Sequence, residues 1–465
     1  MKPLSALVCV LVVALTATGA ANSAAVRSGV RTQDRVVQKS IAGINVVTAK
    51  TGVEDVVVLR GSLPAGEVFN PPGNPALAML VAGMLDKGTL RSEKAAVSKR
   101  LSDIGATVSF GADANMMAFS AKFLSEDLAA VIAVLAEELR APSFRADELA
   151  AFKQQLSARL RSQFENTDLV ANNTFARAVY PAGHPNHSAS LEELLAGVES
   201  ATVEDLKKFY AAHYGPAHMN LVAVGDLDVA QLQSEIGKNF TGWQTGQAAL
   251  VPLPRFADRS TATDERSVLM AGKTSVSIIW GQATGLEWDD PGALALRVGT
   301  SIFGSGFAGR LMANVRDKEG LTYQISAGSG NDVFSSGEWR ISASFAPELL
   351  EKGLASTRQQ LETWIDGGVT AAELESSKRK LITRSAISMT TPDGLAFVLL
   401  DAIHRGAGLD YLDEFPRQVE ALTLDEVNIA IRKIRPSELV LVKVGTLPQG
   451  PSSSSKSSSP GKRQQ

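Results

Sequence analysis

TVEDLKKFYAAHYGPAHMNLVAVGDL, residues 202–227, returns near the far end of the chain as TLDEVNIAIRKIRPSELVLVKVGTL, residues 423–447. Each copy opens on a Thr followed by acidic residues, the pattern of a capped helix start. Each then runs through a helical segment to a Pro and closes on a Val/Leu strand ending in Gly. A unit used twice points to two lobes built on one plan.

Other segments pair in the same way. VEDVVVLRGSLPAG (53–66) and TSVSIIWGQATG (274–285) are strand-like. Each precedes a helix rich in Ala and Leu, NPALAMLVAGMLDKG (74–88) and DPGALALRVGTSIFG (290–304). Alternating segments follow, and period two in MAFSAKF (117–123) and WRISASF (339–345) predicts sheets with one buried face. Long amphipathic helices complete each half. The expected fold is α+β: two homologous α/β lobes, each a mostly antiparallel sheet covered by helices. Residues 40–245 form the N-terminal lobe and 267–447 the C-terminal lobe. Residues 246–266, GQAALVPLPRFADRSTATDER, carry the Pro, Ser, Thr and charge of an extended linker.

The whole chain agrees with two domains. It has 465 residues, and one hydrophobic core rarely grows past ~250–300. Hydrophobic residues make up 45% and charged residues 20%, an ordinary globular balance. A net charge of −3 gives no general attraction to nucleic acid. Residues 1–25 read as a signal peptide: Lys2, an apolar run from Leu4 to Leu15, then small residues to Ala25. That run is shorter than the ~20 residues a membrane span needs, so a periplasmic location is expected. No later stretch is long and apolar enough to be a membrane helix. Cys9, the sole cysteine, falls in the leader, so the mature chain is expected to rest on packing without disulfides. Residues 448–465, rich in Ser, Pro and Lys, read as a disordered tail.

Four stretches invite chemistry. GSGFAGR (304–310) contains G-x-G-x-x-G, with Asp332 downstream as a dinucleotide fold would have it. The segment before it is helical and not a first strand, which favours a Gly-rich turn between helices. HPNH (184–187) and HYGPAH (213–218) have spacings a metal could use. Pro185 and Pro216 put them in loops, and no carboxylate or thiol pattern joins them, so loop or surface histidines are the plainer reading. VRDKEGLTY places Arg316 near a helix C-terminus, Gly320 at the corner and Tyr323 at the start of a strand. By themselves these read as a solvated Arg and a half-buried strand Tyr.

From about Ile41 to Leu447 the chain resembles the insulinase-like zinc endopeptidases, the family of pitrilysin and the mitochondrial processing peptidase. In its members a stretch like GSGFAGRLMANVRDKEGLTYQISA carries an Arg and a Tyr that grip substrate, and the matching residues are Arg316 and Tyr323. The family's inverted zinc motif, H-x-x-E-H ahead of a Lys-Gly-Thr-like turn, falls on ALAMLVAGMLDKGT (76–89). Met79 and Gly83 stand at the two His positions and Ala82 at the Glu position. The third ligand, a Glu on a later helix, falls near Ala158 or Arg159.

A catalytic zinc needs three protein donors and a water. Thioether sulfur is a poor zinc donor, and a methyl group and a hydrogen are none. Gly83 costs ~1 kcal/mol inside a helix, which calls for a packing reason. The resemblance therefore implies the zinc-free subunit of a periplasmic heterodimeric zinc metalloendopeptidase. A homologous H-x-x-E-H partner would hold the zinc, a peptide would be the substrate, and Arg316 and Tyr323 would act in trans. This chain would bind no cofactor and be inactive alone. A non-catalytic scaffold or a peptide-binding protein of the same fold is the alternative.

Overall fold

The computed structural model describes residues 36–244 and 264–447. The expected signal peptide, the linker up to residue 263 and the Ser-rich tail lie outside the described residues. The first lobe holds strands β1 (Val36–Ile41), β2 (Ile44–Lys50) and β3 (Val56–Leu63), then helices α1 (Leu77–Met84) and α2 (Lys94–Ser102). Next come β4 (Thr107–Ala112), β5 (Met117–Leu124), α3 (Leu128–Arg140), α4 (Ala146–Gln163), α5 (Thr167–Val179), α6 (Leu191–Ser200) and α7 (Val203–His213). The lobe ends with β6 (Asn220–Gly225) and α8 (Val229–Phe240). The second lobe opens with β7 (Glu265–Leu269), β8 (Val276–Ala283), α9 (Ala293–Gly304) and a π-helix (Met312–Lys318). It continues through β9 (Thr322–Gly330), β10 (Glu338–Phe345), α10 (Leu350–Gly367), α11 (Ala371–Ser388) and α12 (Pro392–His404). It closes with α13 (Tyr411–Ala421), α14 (Leu424–Ile431) and β11 (Val440–Gly445). Since β7 begins at Glu265, Glu265 and Arg266, expected in the linker, are strand. Among the described residues no single helix is long and apolar enough to cross a membrane.

The sheet orders display the repeat. The first is β1-β2-β6-β3-β5-β4 and the second β7-β11-β8-β10-β9. Without the edge strand β1, each strand of one sheet has its counterpart in the other. The pairings match too: β2–β6 and β7–β11 are parallel and the rest antiparallel. The capping pattern read from the sequence is present. Thr202 caps α7 reciprocally with Asp205, and Thr423 caps α14 with Glu426. The glycines that end the two closing strands have φ of +143° at Gly225 and +145° at Gly445. A Cβ there would lie 2.0 Å from the Val56 carbonyl oxygen or 2.5 Å from that of Ser275. Only glycine fits where these backbones pass.

One expectation is corrected. Strands β5 and β10 do alternate, but the central strands are buried on both faces, β8 along its whole length. The second face of each sheet is covered by a helix from the other half of the chain. Leu395, Ala396, Leu399 and Leu400 of α12 pack on Val47, Val58, Val222 and Val224 of the first sheet. Ala171, Phe175 and Val179 of α5 pack on Ile279, Val440, Val442 and Val444 of the second. By order of elements α5 and α12 are equivalent, so the lobes exchange the same helix. Local alternation records one helix layer only, because the second arrives from distant sequence.

The segment after α5 fastens this exchange. Tyr180 donates a hydrogen bond of 2.9 Å to Glu338 on β10, and Arg340 pairs with the same carboxylate at 3.0 Å. Asn186 of HPNH donates to the carbonyls of Asn331 and Ser336. Phe175 is fully buried, so Phe175→Ala is expected to cost ~3–5 kcal/mol in denaturant unfolding. Hydrogen-exchange protection of β8 and β11 should fall with it. Undiminished protection in those strands would show that α5 does not hold the second sheet.

Candidate functional site

The helix at the zinc-motif position forms for reasons unconnected with metal. Leu77, Leu80, Val81 and Met84 bury one side of α1 in the first core. Its first amides are satisfied by side chains: Asn74 Oδ1 accepts from the Ala76 N–H at 3.0 Å, and Asn70 Oδ1 from the Ala78 N–H at 2.8 Å. Gly88, at φ +107°, turns the chain away after Lys87.

Met79 and Gly83 line a cavity of about 480 Å³ with Phe152, Lys87 and Arg159. Arg159, of the two positions proposed for the third ligand, is the one that faces this space. A Cβ on Gly83 would lie 2.2 Å from Cζ of Phe152. This is the packing reason for the glycine: an aromatic ring from α4 occupies the volume a ligand side chain would need. Lys87 Nζ lies 5.6 Å from the centre of that ring. A thioether, a methyl, a hydrogen and a guanidinium cannot hold Zn²⁺, and Asp86, the one carboxylate on this wall among the described residues, is paired with Lys87 at 2.8 Å. The residues present do not fit the metal. Among the described residues no three His, Cys, Asp or Glu side chains gather into a metal-holding group.

Packing accounts for His184, His187 and His213, whereas His218 is exposed and lines a separate cavity. His184 is buried, a correction to the loop-surface expectation, and stacks on Tyr180 with ring centres 4.4 Å apart. Its Nδ1 accepts from the Asn186 N–H, and burial holds its pKa down at about 4. His187 Nδ1 contacts the Tyr180 carbonyl at 2.9 Å. His213 ends α7 beside Phe69 and Phe209. G-x-G-x-x-G falls between α9 and the π-helix, with no strand before it. Arg310, at its end, forks onto Glu373 through two bonds of 2.7 Å, which with burial opposing hold that carboxyl near pKa 2.

Arg316 and Tyr323 do meet. The π-helix runs to Lys318, Gly320 reverses the chain at φ +64°, and β9 begins at Thr322. A β-bulge at Tyr323, where Ser344 pairs with Gln324 and Phe345 with Thr322, breaks the strand alternation, so Thr322 and Ile325 are buried while Tyr323 turns outward. Tyr323 is 84% exposed, against the half-buried Tyr expected. The Arg316 guanidinium lies 5.4 Å from the Tyr323 ring centre and 5.3 Å from that of Phe307. Phe307, 73% exposed at the tip of the Gly-rich turn, is a member of this cradle that motif reading missed. Its signal was a large apolar residue in an otherwise small, polar turn. The neighbouring anion, Asp317, sits 3.4 Å from Arg316. With aromatic rings over the guanidinium, its N–H edge is the part left to donate. The cradle offers Arg and Tyr donors to a carbonyl oxygen or to charge developing on it.

Another buried polar group was not foreseen. Glu138 on α3 is 1% exposed, and its Oε2 has no hydrogen-bond partner among the described residues. Burial, with Asp86 and Glu137 adding and Arg100 and Lys87 opposing, raises its pKa to about 8. Ser62 Oγ lies 2.7 Å from His404 Nε2, but Ser62 is wholly buried in β3 and no substrate could reach it.

The description Insulinase (Peptidase family M16) matches residues 45–188, and Peptidase M16 inactive domain matches residues 200–381. A Helicobacter pylori protein named Non-peptidase homolog YmxG is 22% identical over 77% of this chain and 81% of its own length. A Bacillus subtilis protein named as a zinc protease, YmxG, is 21% identical over 86% of this chain and 96% of its own. The crystal structure of a peptidase M16 inactive domain from Pseudomonas fluorescens superposes with a TM-score of 0.80 at 25% identity. It covers 90% of this chain and 100% of that one. A Helicobacter pylori protease shares the fold with a TM-score of 0.78 at 16% identity, over 88% of this chain and 99% of that one.

Two measurements check the first lobe. Gly83→Ala should cost ~1–2 kcal/mol in the native background and stabilise by up to ~1 kcal/mol once Phe152→Ala is present. Additive effects in denaturant unfolding would mean the ring and the glycine are not coupled. For Glu138, the folded pKa lies above the unfolded one, so its contribution is greatest below pH 4.5 and is lost as pH rises towards about 8. Glu138→Gln should match the native protein near pH 5 and exceed it by a few kcal/mol, order of magnitude, at pH 8.5. A gap independent of pH would show that Glu138 ionises as an ordinary carboxyl.

Proposed function

The chain belongs to the insulinase family of M16 peptidases, and on that footing we propose that it is the zinc-free subunit of a heterodimeric endopeptidase. A zinc-bearing H-x-x-E-H homologue supplies the metal and the water, and this chain supplies Arg316 and Tyr323. One observation carries the reading: a guanidinium set between two exposed aromatic rings, in a chain whose own ligand positions hold Met79, Ala82 and Gly83. Folding gives no reason to leave Phe307 and Tyr323 in water, whereas recognition of a second molecule does.

In the assembled site, amide hydrolysis puts negative charge on the scissile carbonyl oxygen. An Arg N–H and a Tyr O–H can donate to that oxygen or to the peptide backbone beside it. One such donor is worth ~2.7–4 kcal/mol of transition-state stabilisation. Substrates on this reading are extended, unfolded peptides, whose carbonyls are free to accept. The leader, with Lys2, its apolar run and its small residues, supports a periplasmic location. The name of the Helicobacter pylori relative, a non-peptidase homologue, supports a second reading in which the same cradle binds peptides without their being cut.

Mixing the chain with a zinc-bearing homologue should yield peptide cleavage that neither gives alone. Arg316→Ala with Tyr323→Phe should lower kcat/KM of the mixture by ~100-fold or more. An unchanged rate would remove these residues from the chemistry. Peptide binding without cleavage in any mixture would favour the second reading.

A further inference from the structure

A cavity of about 580 Å³, sharing no lining residue with the cradle or with the cavity at Gly83, opens where the lobes meet. Its size lies within the ~300–1,000 Å³ of small-molecule sites. The first lobe contributes Phe69, Met116 and Met219, and the second contributes Phe334, Ile403 and His404. His404 packs against Phe334 with ring centres 5.4 Å apart and is tied to Ser62 by the 2.7 Å contact, so this wall is held in place. No Lys, Arg, Asp or Glu lines the cavity among the described residues. His218, His404, Ser40, Asn45 and Asn220 also line it, so the wall is polar in part but carries no fixed charge, and a neutral occupant is favoured. Aromatic and thioether walls suit flat rings, through stacking and sulfur–aromatic contact.

The wall also holds an acceptor in want of a donor. Asn115 lines the cavity, and its Oδ1 is buried with no hydrogen-bond partner among the described residues. The Asn115 backbone is fixed by a turn in which Asp113 Oδ1 accepts from the N–H groups of Asn115 and Met116, both at 2.8 Å. As the side chain stands Oδ1 is closed to the cavity; a turn of the amide about χ2 brings it to the wall, where a ligand donor would recover the ~1–3 kcal/mol that a buried unpaired acceptor costs.

We propose that this interlobe cavity binds a neutral aromatic molecule carrying an N–H or O–H donor, its rings among Phe69, Met116 and Phe334 and its donor on Asn115 Oδ1. Because both lobes form the walls, the occupant stabilises their mutual placement and raises the unfolding temperature. The site stands apart from Arg316 and Tyr323 and does not depend on the proteolytic reading.

N-phenyl-1-naphthylamine, a neutral fluorescent aromatic with one N–H, is a suitable probe for the full chain. Saturable one-to-one fluorescence enhancement with a rise in Tm is expected. Ile403→Trp should abolish it by filling the cavity, with Ile403→Val as the conservative control. Val68→Trp fills the same space from the other lobe should Ile403→Trp not fold. Asn115→Leu should weaken binding ~3- to 10-fold, the worth of one neutral hydrogen bond. The N-methylated probe, which has no donor, should bind the native protein and Asn115→Leu alike. Absence of saturable binding, or undiminished binding to a folded Ile403→Trp or Val68→Trp protein, overturns the site. Equal binding of the N–H probe to native and Asn115→Leu proteins overturns the assigned donor. Phe307→Ser should leave the titration unchanged, and its loss would move the dye to the Arg316 cradle and overturn the proposal.

Discussion

The rest of the structure depends on the reciprocal burial of two sheets. Each central sheet carries apolar side chains on both faces, and each lobe keeps only enough helices nearby to cover one. The uncovered face of Val47, Val58, Val222 and Val224 cannot stay in water, and α12 of the opposite half covers it. The debt is returned by α5 on Ile279, Val440, Val442 and Val444. Neither lobe is closed without the other. The buried Tyr180–Glu338 bond and the Asn186 contacts sit at the end of the exchanged α5, where they hold the lobes in register.

That division of labour explains how a zinc helix can persist without zinc. The inward side of α1 is set by Leu77, Leu80, Val81 and Met84, none of which faces the cavity. The other side presents Met79 and Gly83 to the cavity. Phe152 occupies space that a ligand at residue 83 would require, and the Lys87–Asp86 pair and Arg159 border it. No one substitution supplies the ligand set, because Met79, Ala82 and Gly83 all lack suitable donors and Phe152 fills the space at Gly83.

The Arg316 cradle follows the opposite logic. Arg310 and Glu373 pin one end of the segment, Gly320 turns the other, and the π-helix between them brings Arg316 beside β9. Met312, Val315 and Ile325 anchor the π-helix and β9 in the second core, while Phe307 and Tyr323 are displayed to solvent. A rigid base bearing exposed aromatic and cationic groups suits contact with another molecule.

Much of this was legible in the residues themselves. Thr202 and Thr423 cap their helices as their acidic partners announce, and Gly225 and Gly445 end their strands where a Cβ cannot fit. Strand order repeats as the paired segments imply, although the leading β1–β2 hairpin gave no comparable signal. The missing zinc donors are a matter of side-chain chemistry and need no coordinates. Tertiary structure alone decided that α5 and α12 change places, that Phe152 fills the space at Gly83, that HPNH fastens the lobes and that Phe307 joins Arg316. The physical reason is range. Capping, turn geometry and periodicity act over a few residues and are written locally. Which distant face an apolar surface meets is settled only when the whole chain closes and every buried group must find its neighbour.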